Sequence, residues 1–161
     1  PMEAELVPTD LTELIEHAVR LVEEDALSLN IDIQMDIQDL SKIPLDANQM
    51  TQAILNLLLN ALQAVKNGGS IEVGAEFNPS NSLLKIWVED DGSGIAAEQK
   101  EKIFDPFFTT REKGTGLGLA IVHKIVENHS GEINLHSPPA GKPRGCRFII
   151  SIPIRSHQPA N

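Results

Sequence analysis

The hydrophobic positions of the chain keep two periods. Leu11, Leu14, Ile15, Ala18, Val19 and Val22 recur at helical spacing, and Thr9 or Asp10 can cap the first turn, so residues 10–29 are predicted to form a helix. Ile31, Ile33, Met35 and Ile37 alternate with polar residues, which predicts a half-buried strand. Pro44-Leu45-Asp46 leads into a second helical pattern over residues 47–65, ended by Asn67-Gly68-Gly69. Ile71, Val73, Ala75 and Phe77 alternate as one strand, residues 78–81 turn the chain, and Leu84, Ile86 and Val88 alternate as its partner. A short helix fits residues 97–104, a loop without periodicity residues 105–114, and a glycine-initiated helix extends to about residue 130. Two strands, near residues 132–137 and 145–154, close the chain, with a turn over residues 138–144. A short strand is also expected at residues 5–7 within a linker. Helices and antiparallel hairpins in this order predict an α+β fold, a two-layer sandwich with helices on one face of a mixed, mostly antiparallel sheet.

Composition narrows the chemistry. The 161 residues suffice for one ordinary domain, and 41% are hydrophobic, enough for a core. The formal net charge of −10, from 23 acidic and 13 basic residues, argues against nucleic acid or an anionic membrane surface as a partner. A bound polyanion must then be met by backbone amides, a metal ion and a few local cations. The one cysteine, Cys146, allows no internal disulfide and fits a reducing compartment. No apolar run reaches transmembrane length, so no direct membrane contact is expected. None of the five histidines has a second ligand at metal spacing, so all read as surface or structural.

The second helix lacks charge. Gln49, Gln52, Asn56, Asn60 and Gln63 form one polar stripe opposite Met50, Ile54, Leu57, Leu58, Ala61, Leu62 and Val65. Neutral amides suit a partly buried face, where they can hydrogen-bond or ligate a hard cation without burying a charge. A solvated face that happens to lack charge is the other reading.

Three more segments carry chemistry. In Glu89-Asp90-Asp91-Gly92-Ser93-Gly94-Ile95, strand alternation puts Asp90 on the apolar face with Leu84, Ile86 and Val88, while Glu89 and Asp91 point away. A carboxylate there needs a donor, for which an adenine amine is suited; an acidic β-turn is the alternative. In residues 104–113, Phe104, Phe107 and Phe108 can pin a loop, or plug the surface beneath it, and Thr109, Thr110, Arg111 and Lys113 add hydroxyls and cations. Lys113-Gly114-Thr115-Gly116-Leu117-Gly118-Leu119 then opens a helix. Glycines at a helix N-terminus let backbone N–H groups approach a phosphate, although such loops also serve packing alone. In the last strand Cys146 alternates in phase with Phe148, Ile150 and Ile152 and is expected to be buried, either at a pocket wall or as a small core hydrophobe.

The ordered motifs N-L-L-L-N-A, D-D-G-S-G-I, F-D-P-F-F and K-G-T-G-L-G-L resemble the N, G1, F and G2 boxes of histidine kinase ATP-binding domains, over residues 9–153. Those domains have the Bergerat fold, shared with gyrase B, Hsp90 and MutL. The short loop at residues 109–113 and the N-A-L-Q-A sequence look most like nitrogen-regulation, dicarboxylate-sensing and zinc-sensing kinases. The resemblance implies Mg²⁺ and ATP as cofactors. It implies that Asn60 ligates Mg²⁺, that Asn56 touches the phosphates or the metal shell at a catalytic position, and that Asp90 accepts the adenine amine. Gly92, Gly94 and Ile95 would surround the base. Thr109, Thr110, Arg111, Lys113, Gly114, Thr115, Gly116, Leu117 and Gly118 would belong to an ATP lid over residues 109–118, with Arg111 and Lys113 as phosphate cations and Gly114, Gly116 and Gly118 as its hinge, and Phe107 and Leu119 would also bind the nucleotide. Many relatives carry a basic residue where this chain has Gln63, so phosphate charge must be met from the lid or by Lys66. Many carry Thr or Ser where it has Cys146, beside the adenine carboxylate.

The histidine-bearing H-E-x-x-x-P-like motif of such kinases is not in the sequence, and His17 reads as part of an ordinary helix. The expected organisation is therefore a linker at residues 1–9 from a histidine-bearing hairpin, a catalytic domain at 10–154 and a disordered tail at 155–161. The expected partners are the kinase's own dimerisation and phospho-acceptor domain and a response regulator, and the expected location is cytoplasmic. Two other functions compete with phosphoryl transfer: a regulatory module for which nucleotide is only a conformational ligand, and a hydrolase of the gyrase B or Hsp90 type. The hydrolase would place a glutamate as general base one turn before Asn60; this chain has Asn56, which cannot take a proton.

Overall fold

The computed structural model describes residues 3–106, 108 and 118–155. Its elements in chain order are β1 (Val7–Thr9), α1 (Leu11–Ser28), β2 (Asp32–Ile37), β3 (Ile43–Leu45), α2 (Ala47–Ala64), β4 (Ser70–Asn78), β5 (Leu83–Asp90), α3 (Gly118–Asn128), β6 (Glu132–His136) and β7 (Cys146–Pro153). Five strands form one sheet in the order β2-β4-β5-β7-β6. Only β2 and β4 run parallel, because β3 and α2 intervene between them as a crossover; every other neighbouring pair in this sheet is antiparallel. This is the α+β sandwich expected from the sequence.

Strand alternation sorts the sheet into two faces. Ile71, Val73 and Ala75 of β4, Leu84, Ile86 and Val88 of β5, and Phe148, Ile150 and Ile152 of β7 are all buried under the helices. The second helix lies between α1 and α3 and against β5, so its apolar positions Met50, Ile54, Leu57, Leu58 and Ala61 are almost completely buried. The other face carries Glu72, Trp87, Glu89 and Arg147. Trp87 lies over Gly74, where an added Cβ would come within 2.1 Å of the indole, and the Arg147 guanidinium stacks 4.7 Å from the ring centre. Glu72 accepts from the Trp87 indole N–H at 3.0 Å. Glu89 binds both Lys142 and Arg147, and its hydrogen bond raises the Lys142 ammonium above the usual lysine range.

Four sequence expectations need correction. The first strand is at Val7–Thr9 rather than residues 5–7, and it pairs with Ile43–Leu45, for which no strand was expected. Pro8 and Pro44 stand directly opposite each other in this ladder. Neither has an N–H to donate, and prolines hide a strand from a pattern-based reading. Residues 97–104 do not form a continuous helix. Only Ala97–Gln99 is helical, as a 3-10 turn, and the bonds that follow, Lys102 N–H to Gln99 O and Asp105 N–H to Lys102 O, again skip three residues. The strand containing Met35 is an edge strand, and Met35 is 47% exposed rather than shielded. The amide stripe is also uneven: Gln49 is buried and Asn56 and Asn60 are half-buried, but Gln52 and Gln63 are exposed. The tail at residues 156–161 lies outside the described residues.

A polar network ties the entering segment to two helices. Asp46 caps α2 by accepting the Gln49 N–H at 3.0 Å, and its other oxygen accepts the Glu5 N–H at 2.9 Å. The Asp46 N–H donates to Nε2 of buried His129 at 3.0 Å, and Nδ1 of the same ring lies 2.9 Å from the Ile125 carbonyl. Gln49 bridges in parallel, donating to the Glu3 carbonyl and accepting from Asn128. His129 is thus a structural histidine. The Glu5 N–H, before any other neighbour, holds the Asp46 carboxyl below the usual aspartate range. A carboxyl lowered in the folded state stabilises above its unfolded value and loses that contribution as pH falls through the folded one. Asp46→Ala is therefore expected to cost about 1–2 kcal/mol at neutral pH, measured by urea unfolding. The gap to the unmodified chain should narrow in acid, below the ordinary aspartate range.

Candidate nucleotide site

The site is built where the central strand ends. Asp90 is the last residue of β5, and its position in the ladder sets it between Ile71 of β4 and Cys146 of β7. It is 4% exposed and on the helix face, as alternation requires. Its Oδ1 accepts the Gly92 N–H at 2.9 Å. Its neighbours in sequence serve other purposes. Glu89 points to the opposite face, as expected, but is buried in its ion pairs with Lys142 and Arg147. Asp91 accepts the Ser70 N–H at 3.1 Å and closes the start of β4.

Glycine is required on both sides of Asp90 by close approach. A Cβ on Gly92 would lie 2.4 Å from the Ala64 carbonyl oxygen, so the turn after β5 touches the last residue of α2. Gly145 has φ +102, and a Cβ there would lie 2.1 Å from the Asp90 carbonyl oxygen. Gly94, with φ +83, has the Ser137 hydroxyl 2.9 Å from where its Cβ would be. That hydroxyl accepts the Ile95 N–H at 2.9 Å and donates to the Gly145 carbonyl at 2.7 Å. Cys146 is 3% exposed, and its Sγ lies 3.5 Å from the same hydroxyl.

The second helix lines the groove with one row. Asn56, Asn60 and Ala64 are spaced four apart, so they stack on one face. The Asn56 side-chain amide lies 3.5 Å from the carbonyl of Gly118, the first residue of α3, and Ala64 touches Gly92. Asn60 therefore lies between the start of α3 and the end of β5, on a row about 12 Å long at 1.5 Å per residue. Asn60 also has a polar or electrostatic partner of its own, as do Gln63 and Asp90. Gly118 opens α3, and a Cβ there would meet nothing among the described residues within 4 Å. Leu119 follows it, half-buried.

Asn56, Asn60, Asp90, Gly92, Gly94, Ile95, Gly118 and Cys146 thus lie where α2, the start of α3 and the ends of β5 and β7 meet, linked by the contacts Asn56–Gly118, Ala64–Gly92, Asp90–Cys146 and Ile95–Ser137–Cys146, and this junction is the candidate groove. Gln63, also expected at the site, is exposed near the C-terminal end of α2. Phe107, Thr109, Thr110, Arg111, Lys113, Gly114, Thr115, Gly116 and Leu117 lie outside the described residues. Sequence reasoning missed Ser137 and Gly145, which bind the turn after β5 to the β6–β7 connection. Ser137-Pro138 reads as a turn signal, and nothing local marks that its hydroxyl reaches 42 residues back to Ile95. Among the described residues, no three His, Cys, Asp or Glu side chains form a metal-binding group.

The chain belongs to the family of histidine kinase-, DNA gyrase B-, and HSP90-like ATPases, whose model matches residues 45–156. Within that family it is similar to the sensor histidine kinase ZraS of Escherichia coli O157:H7, with 44% identity over 155 residues, 96% of this chain but 33% of the relative. The chain thus spans about one third of the length of that relative. Its fold matches the nucleotide-free catalytic domain of histidine kinase ThkA, with TM-score 0.83, 34% identity and coverage of 93% of this chain and 96% of that one. It also matches ThkA in complex with the response regulator TrrA, with TM-score 0.80, 31% identity and coverage of 94% and 42%. ATP is the cofactor that family membership gives this chain.

The two glycines at opposite sides of the groove should respond differently to a methyl group. Gly92→Ala forces a Cβ into the α2 backbone and is expected to destabilise the domain by about 1–3 kcal/mol. Gly118→Ala meets no atom of the described residues, and in a helix it should shift stability by less than about 1 kcal/mol, toward greater stability. Thermal or urea unfolding of the two variants checks both.

Proposed function

We propose that this chain is the catalytic domain of a sensor histidine kinase, which binds ATP with Mg²⁺ and donates the γ-phosphoryl group to a histidine on a separate dimerisation domain, for relay to a response-regulator aspartate. The observation that carries it is the row Asn56–Asn60–Ala64, which runs from the glycine-opened helix to Gly92, whose N–H the buried Asp90 carboxylate accepts. That row offers neutral amide oxygens to a hard cation and leaves Asp90 as the acceptor for an exocyclic amine. Bound Mg²⁺ would neutralise phosphate charge that the domain, with net charge −10, cannot meet with cations of its own along this helix.

In this reading Asn60 holds the metal, Asn56 orients the phosphates at the catalytic position, and Asp90 selects adenine. Gly92, Gly94, Ile95 and Cys146 wall the base, residues 109–118 form the lid, and Phe107 and Leu119 flank it as further nucleotide-binding residues. Arg111 and Lys113 are the lid's phosphate cations. Phosphoryl transfer depends mainly on positioning and charge neutralisation, which this groove supplies, while the nucleophile comes from the other domain. Residues 1–9 are the linker to that domain, and residues 10–154 the catalytic unit. ThkA complexed with TrrA supports a response regulator as a further partner. A cytoplasmic location accords with both partners, and among the described residues no helix is long and apolar enough to cross a membrane.

The direct test is transfer of labelled phosphate from ATP to a supplied histidine-bearing hairpin, with Mg²⁺ required. Nucleotide binding without transfer would favour the regulatory module. Steady hydrolysis at several per second, within the usual enzyme range of about 1–10³ per second, would favour a hydrolase despite Asn56. Calorimetry should find that Asn60→Ala weakens Mg-ATP binding by about tenfold or more, as for loss of a charge-linked contact. Asp90→Asn should lower the preference for adenine over guanine nucleotides. Unchanged binding in both variants would contradict the assignment.

A further inference from the structure

Ser137 is absent from the motifs that mark the nucleotide groove, yet its hydroxyl stands at the junction of three pieces of the groove's adenine side. A hydroxyl has one proton to donate and room to accept two. Ser137 donates to the Gly145 carbonyl at 2.7 Å, accepts the Ile95 N–H at 2.9 Å and lies 3.5 Å from Cys146 Sγ as a thiol acceptor. All three capacities are used. The groups it joins lie far apart in sequence: Ile95 follows the turn after β5, and Gly145 and Cys146 begin β7.

Both glycines around it leave no room for adjustment. Gly94 has φ +83, and its Cβ position is 2.9 Å from the Ser137 Oγ, so the hydroxyl rests against the turn that it also hydrogen-bonds. Gly145 has φ +102, and its Cβ position is 2.1 Å from the Asp90 carbonyl oxygen, with 3.2 Å to the Asp91 Cα. The carbonyl that takes the Ser137 proton therefore belongs to the residue packed directly on the Asp90 backbone. Cys146, the third partner, is the ladder neighbour of Asp90. A continuous path runs from the Ile95 N–H through the Ser137 hydroxyl and Gly145 to Asp90.

We propose that Ser137 is a positioning residue that fixes the distance between the Gly94–Ile95 turn and Asp90, and so sets the selectivity of the pocket for adenine. The proposal rests on the nucleotide-binding reading above. A purely structural serine would weaken all nucleotides alike when removed. A serine that sets the spacing between the turn and the selecting carboxylate changes the ratio between adenine and guanine nucleotides, because only the adenine amine is held by Asp90.

The experiment combines calorimetry with ADP and with GDP, on the unmodified chain, Ser137→Ala and Ser137→Thr, and amide hydrogen exchange at Ile95. Ser137→Ala is expected to weaken ADP binding about tenfold, the upper end for one neutral hydrogen bond, while GDP changes little, so the ADP-to-GDP preference falls by about the same factor. Ser137→Thr keeps the hydroxyl and should restore the preference. The Ile95 amide should exchange slowly in the unmodified, nucleotide-free chain and faster in Ser137→Ala. An unchanged ADP-to-GDP ratio in Ser137→Ala would overturn the proposal, as would an unprotected Ile95 amide in the unmodified chain. Should Ser137→Ala fail to fold, the Ile95 exchange and the Ser137→Thr ratio decide, with a lost preference in Ser137→Thr counting against it. Failure of the nucleotide reading itself is distinguishable: the unmodified chain would bind neither nucleotide, yet Ile95 would still be protected.

Discussion

A carboxylate cannot sit at the apolar end of a central strand without donors, and Asp90 sits there. Much of the local architecture follows from that placement. The Gly92 N–H is turned back to Oδ1, which brings the chain against the end of α2 so closely that only glycine fits. On the other side Gly145 packs on the Asp90 backbone, and Cys146 lies beside it in the ladder. The helix facing this strand end carries amides and no charged side chain over Ala47–Ala64, so it adds neither a competing cation nor a second buried anion.

Two adjacent carboxylates of one strand show how far alternation separates roles. Asp90 faces the helices and lines the groove. Glu89 faces the opposite side, where Lys142 and Arg147 neutralise it and Arg147 also covers Trp87. That cluster closes the helix-free face of the sheet with polar and aromatic groups instead of a second helical layer. A one-residue slip in the β4–β5–β7 register would exchange the two carboxylates, placing Glu89 in the groove and Asp90 among the cations. The Trp87–Gly74 contact opposes such a slip, since the indole fits only where its ladder partner lacks a Cβ. The register that serves the groove is thus held from the other face.

Periodicity was enough for α1, α2 and the four long strands β2, β4, β5 and β7, because each carries an apolar face whose period differs cleanly between helix and strand. It placed Asp90 and Cys146 on the helix face correctly for the same reason. It failed where the signal is not periodic. The β1–β3 ladder pairs Pro8 with Pro44, residues that normally argue against a strand, and its hydrogen bonds depend on a partner 36 positions away. Residues 97–104 have helical composition, but Ala96 supplies no side-chain cap and the turns tighten to three residues. The burial of Glu89 depends on Lys142 and Arg147, and the junction at Ser137 depends on Ile95; neither pairing leaves a trace in local spacing. The tie from Asp46 to His129 is of the same kind, across 83 residues.

The central claim is that nucleotide lies along the α2 row, between the start of α3 and the Asp90 strand end. The most direct measurement is the amide NMR spectrum of the isotopically labelled chain, titrated with Mg-ADP. The largest shifts are expected on Asn56, Asn60, Asp90, Gly92, Gly94, Ile95, Gly118 and Cys146, while the amides of Glu72 and Trp87 and the Trp87 indole N–H move little. The contradicting result is a set of largest shifts around Gln34, Ser70, Glu72 and Lys142, which line a polar pocket together with Ile71, Glu89, Asp90 and Asp91, while Asn56, Asn60 and Gly118 move little.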